Sequence, residues 1–342
     1  MGLNGQAIRN LFAALATVAA AAFALALPAG AAAGGAKTTY AKQLTRILPQ
    51  GKEPVLFEGG AFGPDGRFYF ANALAKPGQP KVIALDVETK KFEGVYTDRK
   101  SVLVSTQFDA AGRLYVTDFE GGTVASMNPD GSDYRVDFAG KVEGRKLHPD
   151  DISFDPEGQM FVSDTSGSPR HRVGIVLRLD ADGSNPLVLA DGMAGPNGVT
   201  FTPDYSALWV SEYTGKRELL LRLNDERSAV TEKKVAFSAK VGNGKFDSNT
   251  IDAAGNVYQC INERGEILVW SPGGKLLRTI RIRQNLGVPE LSATNLAIRP
   301  GTRTAYVVVG GEAGGFVYTF KALAKGIPQS NGGSAEPAHL DR

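Results

Sequence analysis

His148-Pro149-Asp150-Asp151-Ile152-Ser153-Phe154-Asp155-Pro156-Glu157-Gly158-Gln159-Met160-Phe161-Val162-Ser163-Asp164 reads as a single hairpin. Ile152 to Phe154 alternates as a strand does, Asp155-Pro156-Glu157-Gly158 places Pro second and Gly fourth in a tight turn, and Met160 to Val162 runs back. Two carboxylates, Asp150 and Asp151, stand at its entrance.

The same unit recurs on both sides of this hairpin. Turn glycines fall at Gly66 (Gly63-Pro64-Asp65-Gly66), Gly112 (Asp109-Ala110-Ala111-Gly112), Gly158, Gly255 (Asp252-Ala253-Ala254-Gly255) and Gly301, and Tyr205 of Thr202-Pro203-Asp204-Tyr205 takes the glycine's place once. Successive separations are 46, 46, 47, 50 and 46 residues. A fixed period in this range, with a strand pair in each unit, is the signature of propeller blades. The expected fold is therefore all-β: a six-bladed β-propeller with four antiparallel strands per blade, over residues 54–326. The third unit shows all four strands, with Ile175 to Leu179 and Leu187 to Leu189 completing it around the turn Asp180-Ala181-Asp182-Gly183. Matching outer turns are Asn128-Pro129-Asp130-Gly131 and Ser271-Pro272-Gly273-Gly274.

Stepping back eight residues from each turn position reaches the start of the first strand, and the residues there are Glu58, Val104, Asp150, Asn197, Asp247 and Ala293. In a propeller these starts converge on the central channel. Four of the six offer oxygen, three as carboxylates. At an effective dielectric of 20, like charges about 4 Å apart repel by about 4 kcal/mol, so converging carboxylates call for a cation or raised pKa values. Glu58, Asn197 and Asp247 are hard oxygen donors, which suits Ca²⁺ first and Mg²⁺ or Mn²⁺ second. Only three histidines are present, too few in useful places for a zinc or iron site. Asp150 is then the surplus acid, either a base that takes a proton from water or a fourth ligand. No G-x-S-x-G elbow points to a serine hydrolase.

The remaining composition narrows the class. A formal charge of +2 with no basic run behind it argues against nucleic acid. Residues 1–33 read as a secretory signal: Arg9 precedes an apolar Leu11 to Leu27, and Ala31-Ala32-Ala33 offers a cleavage site. The mature protein is expected in the periplasm or outside the cell, without stable membrane association and as a monomer. The lone Cys260 excludes an intrachain disulfide. Residues 34–53 are a lead-in that can supply an outer strand closing the ring, Lys321 to Lys325 is mildly helical, and 327–342 is a polar tail expected to be disordered. Two loops are candidates for the channel rim: Thr165 to Arg172, which carries Arg170 and His171, and Gln284 to Glu290.

Glu58-Gly59-Gly60 before Gly63-Pro64-Asp65-Gly66, Asp150-Asp151 before Phe154-Asp155, Gly195-Pro196-Asn197-Gly198-Val199, and Phe246-Asp247-Ser248-Asn249-Thr250-Ile251-Asp252 together resemble the gluconolactonase and regucalcin (senescence marker protein) superfamily. The likeness runs from about Val55 to Phe320. Paired Asp, and Asp followed by Ser, are nearest to its bacterial drug-responsive lactonases, as is the stretch through Ser292-Ala293-Thr294. This resemblance implies a divalent metal held by Glu58, Asn197 and Asp247 with Ser248 beside it, Asp150 at the catalytic position, and hydrolysis of a small-molecule lactone or ester. His148, Asp151, Arg170, His171 and Thr294 are the candidate substrate contacts. His148 stands where sugar lactonases carry Arg, which turns the expectation away from an aldonolactone. Two other readings stay open: a phosphotriesterase on the same site, and a non-catalytic propeller that binds a metabolite or protein and keeps a structural metal.

Overall fold

The computed structural model describes residues 36–49, 51, 53–283 and 291–332. The secretory signal expected over 1–33 and the second rim loop, Gln284 to Glu290, lie outside the described residues. The described residues open with β1 (Lys37–Leu48), and four antiparallel sheets of four strands follow. They are β2 to β5 (Phe57–Phe62, Phe68–Asn72, Val82–Leu85, Phe92–Tyr96), β6 to β9 (Leu103–Phe108, Leu114–Asp118, Thr123–Met127, Arg135–Ala139), β12 to β15 (Pro149–Phe154, Met160–Asp164, Gly174–Leu179, Leu187–Met193) and β16 to β19 (Pro196–Phe201, Ala207–Glu212, Arg217–Leu223, Val230–Ser238). A short ribbon of β10 and β11 (Lys141–Val142, Arg145–Lys146) sits between the second and third sheets. The remaining strands, β20 to β23 (Lys245–Ile251, Val257–Asn262, Glu266–Trp270, Leu276–Ile282) and β24 to β26 (Ser292–Ile298, Thr304–Gly311, Gly314–Lys321), are joined through β1 into one eight-stranded sheet.

Six separate four-stranded sheets were the expectation, and four are found among the described residues. The difference is β1. Its later residues run antiparallel to β26, supplying a fourth strand to β24–β26, while Lys37 to Ala41 run parallel to β23. One strand hydrogen-bonded on both sides welds eight strands into one sheet, which local patterning could not announce. The arrangement is propeller-like. The first strand of each repeat packs on the next, from β2 to β6, β12, β16, β20 and β24, and β24 packs on β2. The apolar core is split into six clusters, each between two successive repeats: Tyr69 with Leu114, for example, then Tyr115 with Met160, and Phe161 with Phe201.

The repeated turn explains the repeated fold. Gly66, Gly112, Gly158, Gly255 and Gly301 all take φ between 70° and 81°, and Tyr205 takes 57° in the same place. A left-handed residue at this point costs a non-glycine residue free energy. Tyr205 offsets it by packing its ring on Phe201, 5.2 Å between centroids.

Two expectations near the C-terminus are corrected. Lys321 to Lys325 is not helical: it is the end of β26 and a bend. The tail is ordered in its described part, residues 327–332. Pro328–Ser330 is a 3₁₀ turn, Ser330 is fully buried, and Ser330 Oγ donates to the Ile251 carbonyl. This segment crosses the place where the first strands end, and the Phe62 N–H donates to the Asn331 carbonyl at 2.9 Å. Polar composition suggested a solvated tail, but polar side chains also suit a channel floor ringed by strand-end carbonyls. Among the described residues, no helix is long and apolar enough to cross a membrane.

Candidate functional site

The first strand of every repeat carries an irregularity near its start. Register shifts fall between Glu58 and Ala61, Leu103 and Ser105, Pro149 and Ile152, Pro196 and Val199, Phe246 and Asn249, and Ala293 and Asn295. In a regular strand, neighbouring side chains point to opposite faces. A bulge relaxes that rule and re-aims side chains. Consecutive pairs, Asp150 with Asp151 and Asp247 with Ser248, therefore serve one site.

The residues meet as follows. Asn197 Nδ2 donates to Asp150 Oδ2 at 3.0 Å, and Thr165 Oγ1 lies 2.9 Å from the same oxygen. Ser248 Oγ is 3.4 Å from Asn197 Oδ1, and Asn262 Nδ2 donates to Asp247 Oδ2 at 2.6 Å. Asn295 Nδ2 donates to Asp151 Oδ1 at 3.3 Å. Thr294 Oγ1 donates to the Phe57 carbonyl beside Glu58. Glu58, Asp150, Asp151, Asn197, Asp247 and Ser248 are all buried, the most exposed at 7%.

The electrostatics are those of an acid cluster without a cationic side chain. Burial first, then the charges of Asp247, Asp150 and Asp151, raise the Glu58 carboxyl well above its ordinary range. Burial and Asp150 do the same for Asp151 and Asp247. Asp150 is pushed up to about 7, chiefly by burial, with Asp164 adding to the rise and the Thr165 hydroxyl opposing it. Tyr213 is buried close by, and its phenol is held protonated by burial and then by Asp247. Glu58 Oε2 is buried with no hydrogen-bond partner. An unpaired buried carboxylate oxygen is expensive.

Such a set fits a hard divalent cation. Its donors are all oxygen, its carboxylates repel, and one oxygen lacks a partner. Among the described residues, no group of three or more His, Cys, Asp or Glu is placed to hold a metal. The expected set does not need one, since it draws two carboxylates, Glu58 and Asp247, and completes itself with the Asn197 amide and Ser248 hydroxyl oxygens.

Other expected residues fall outside this cluster. His148 is half-buried against Phe119, 5.2 Å between ring centroids, with Ser166 Oγ 3.4 Å from its Nδ1. Arg170 and His171 are exposed on the loop after β13, and among the described residues neither hydrogen-bonds the carboxylates, His171 pairing with Ser168 instead. Several participants were missed. Hydroxyls on second strands, Thr117, Ser163 and Ser211, donate to the carbonyls of Asp150, Asn197 and Asp247 in the next repeat. Asn262 was missed too, although second-strand ends recur as the acids Asp118, Asp164 and Glu212 and the amides Asn72 and Asn262. The first three accept from the N–H of Val102, His148 and Ala194, just ahead of the first strand. In the fifth repeat an amide replaces the acid and turns to Asp247, where a carboxylate would repel. That in-phase change of residue type was the available signal.

A propeller-like all-β ring with hard oxygen donors at the inner ends of its first strands defines the class. The chain belongs to the SMP-30/Gluconolactonase/LRE-like family, whose model matches residues 79–309. It is similar to Lactonase drp35 of Staphylococcus haemolyticus, 24% identical over 304 residues that cover 85% of this chain and 90% of that one. Its fold is like that of a calcium-binding regucalcin from Agrobacterium tumefaciens (TM-score 0.66, 13% identity, 85% and 98% covered). The fold is also like that of a gluconolactonase of Xanthomonas campestris (TM-score 0.65, 18% identity, 85% and 98% covered).

Proposed function

We propose that this protein is an exported, Ca²⁺-dependent hydrolase of lactones, built as a six-bladed propeller in which the eight-stranded sheet counts as two blades. The observation that carries the reading is the buried acid cluster with its unpartnered Glu58 oxygen. Membership of a family with lactonase relatives supports the reaction class, and the N-terminal apolar segment ahead of Ala31-Ala32-Ala33 supports export to the periplasm or beyond.

Glu58, Asn197 and Asp247, with the Ser248 hydroxyl, would hold the cation, and Mg²⁺ or Mn²⁺ would suit the same donors. When bound, it supplies Lewis acidity toward an ester carbonyl. Asp150 is the base. Thr165 and Asn197 both approach its Oδ2, so Oδ1 is left to take a proton from water. Burial raises its carboxyl above the ordinary range and so strengthens it as a base, and a cation held beside it would draw that value back down. Asp151 and His148 would face the substrate, with Thr294 fixing the strand behind Glu58.

The test compares wild type and Asp150→Asn on a lactone panel and an organophosphate panel, with calcium titrated in parallel. The variant should keep calcium binding and lose about 10²- to 10⁴-fold in kcat on the responsive lactone, as removal of a general base does. Unchanged turnover would remove Asp150 as base. Hydrolysis confined to organophosphates would move the reading to phosphotriesters.

A further inference from the structure

Four buried amide and carboxyl groups link the channel floor to the site in one unbroken line. The Phe108 N–H donates to Gln107 Oε1 at 2.9 Å, and Gln107 Nε2 donates to Asn331 Oδ1 at 3.2 Å. Asn331 Nδ2 donates to Asn295 Oδ1 at 3.4 Å and to the Leu296 carbonyl at 2.9 Å. Asn295 Nδ2 then donates to Asp151 Oδ1 at 3.3 Å. All four side chains are at least nine-tenths buried.

Amide orientation is ordinarily ambiguous, because oxygen and nitrogen look alike. Here chemistry sets the orientation. A backbone N–H can only donate, so Gln107 must turn its oxygen to Phe108; a backbone carbonyl can only accept, so Asn331 must turn its nitrogen to Leu296 and to Asn295 Oδ1, which leaves the Asn295 nitrogen for Asp151. Every link between them runs in the same direction. We propose that the C-terminal segment 327–332 is a built-in stopper of the channel floor, and that its Asn331 is a positioning residue which, through Asn295, holds the Asp151 carboxylate in place. Aligned hydrogen bonds in a dry interior reinforce one another. Asn331 suits the post, since it caps the 3₁₀ turn at φ 58°, a conformation Asn tolerates. The proposal rests on the lactonase reading for its kinetic consequence and on geometry alone for the link.

Asn331→Gly keeps the left-handed backbone and the bond from Phe62, and removes only the side chain. With Asn295→Ala and the double variant it forms a cycle, read by kcat and KM on the responsive lactone at saturating calcium and by melting temperature. Each single variant should lose about five- to tenfold in kcat, what one neutral hydrogen bond is worth, with KM unchanged. The double variant should be no worse than Asn295→Ala alone. Independent, additive losses, or an Asn331→Gly protein with wild-type kcat, would overturn the proposal. If the wild type hydrolyses no lactone, the lactonase reading fails while this one is still decided by the Asn295 side-chain amide signals in a nitrogen-edited spectrum. Movement of those signals in Asn331→Gly supports the link, and unmoved signals refute it.

Discussion

Removing divalent cations with a chelator and raising the pH from about 4 to about 8 should destabilise this protein progressively, and calcium should reverse the effect most at the alkaline end. Glu58, Asp150, Asp151 and Asp247 all have folded-state pKa values raised above their ordinary ones. A group raised in this way contributes its full stability below the unfolded-state pKa, and the contribution is lost as pH rises through the folded-state value. For Asp150 the window runs from an ordinary value of 3.8 up to about 7. At about 1.36 kcal/mol per unit, that carboxyl alone removes about 4 kcal/mol across the window. For a chain of this size the melting temperature should fall on the order of 10 °C. A bound cation favours the ionised forms, so its stabilisation must grow with pH. Differential scanning fluorimetry in chelator and in millimolar calcium, across the pH series, measures both. A flat chelator curve, or equal calcium stabilisation at both ends, would refute the cluster as a cation site.

Thr165→Val removes the hydroxyl that opposes the rise at Asp150. Its pH–rate profile should shift its acid limb upward and lose about threefold to tenfold in activity near neutrality, the worth of one hydrogen bond, with Thr165→Ser restoring it. Gly59→Ala should cost about 3 kcal/mol or more and weaken calcium affinity. Gly59 has φ +56° and an added Cβ would lie 2.3 Å from the Ser105 Cα, so the strand bearing Glu58 must move; urea denaturation and calcium titration read the two effects.

Much of the candidate site was legible because turn chemistry is local. The turn position, left-handed in every repeat down to the exceptional Tyr205, can be counted along the chain, and eight residues back stand Glu58, Asp150, Asn197 and Asp247. Ser248 and Thr294 came from resemblance alone. The loop residues Arg170 and His171 matched composition and length, which carry no information about where an exposed side chain points.

What the residues determined by themselves is the all-β repeat, its period and the oxygen-rich phase of its first strands, since each depends on interactions within a few residues. Tertiary structure decided the rest. The strand bulges let adjacent Asp150 and Asp151 face one site, β1 bonds on both sides, and a segment that composition assigned to solvent closes the floor instead. Gln107 and Asn331 are 224 residues apart, and Asn295 and Asp151 are 144 apart. Their contacts exist only once the ring has closed, because no local preference encodes a hydrogen bond whose partner arrives from the far side of the fold.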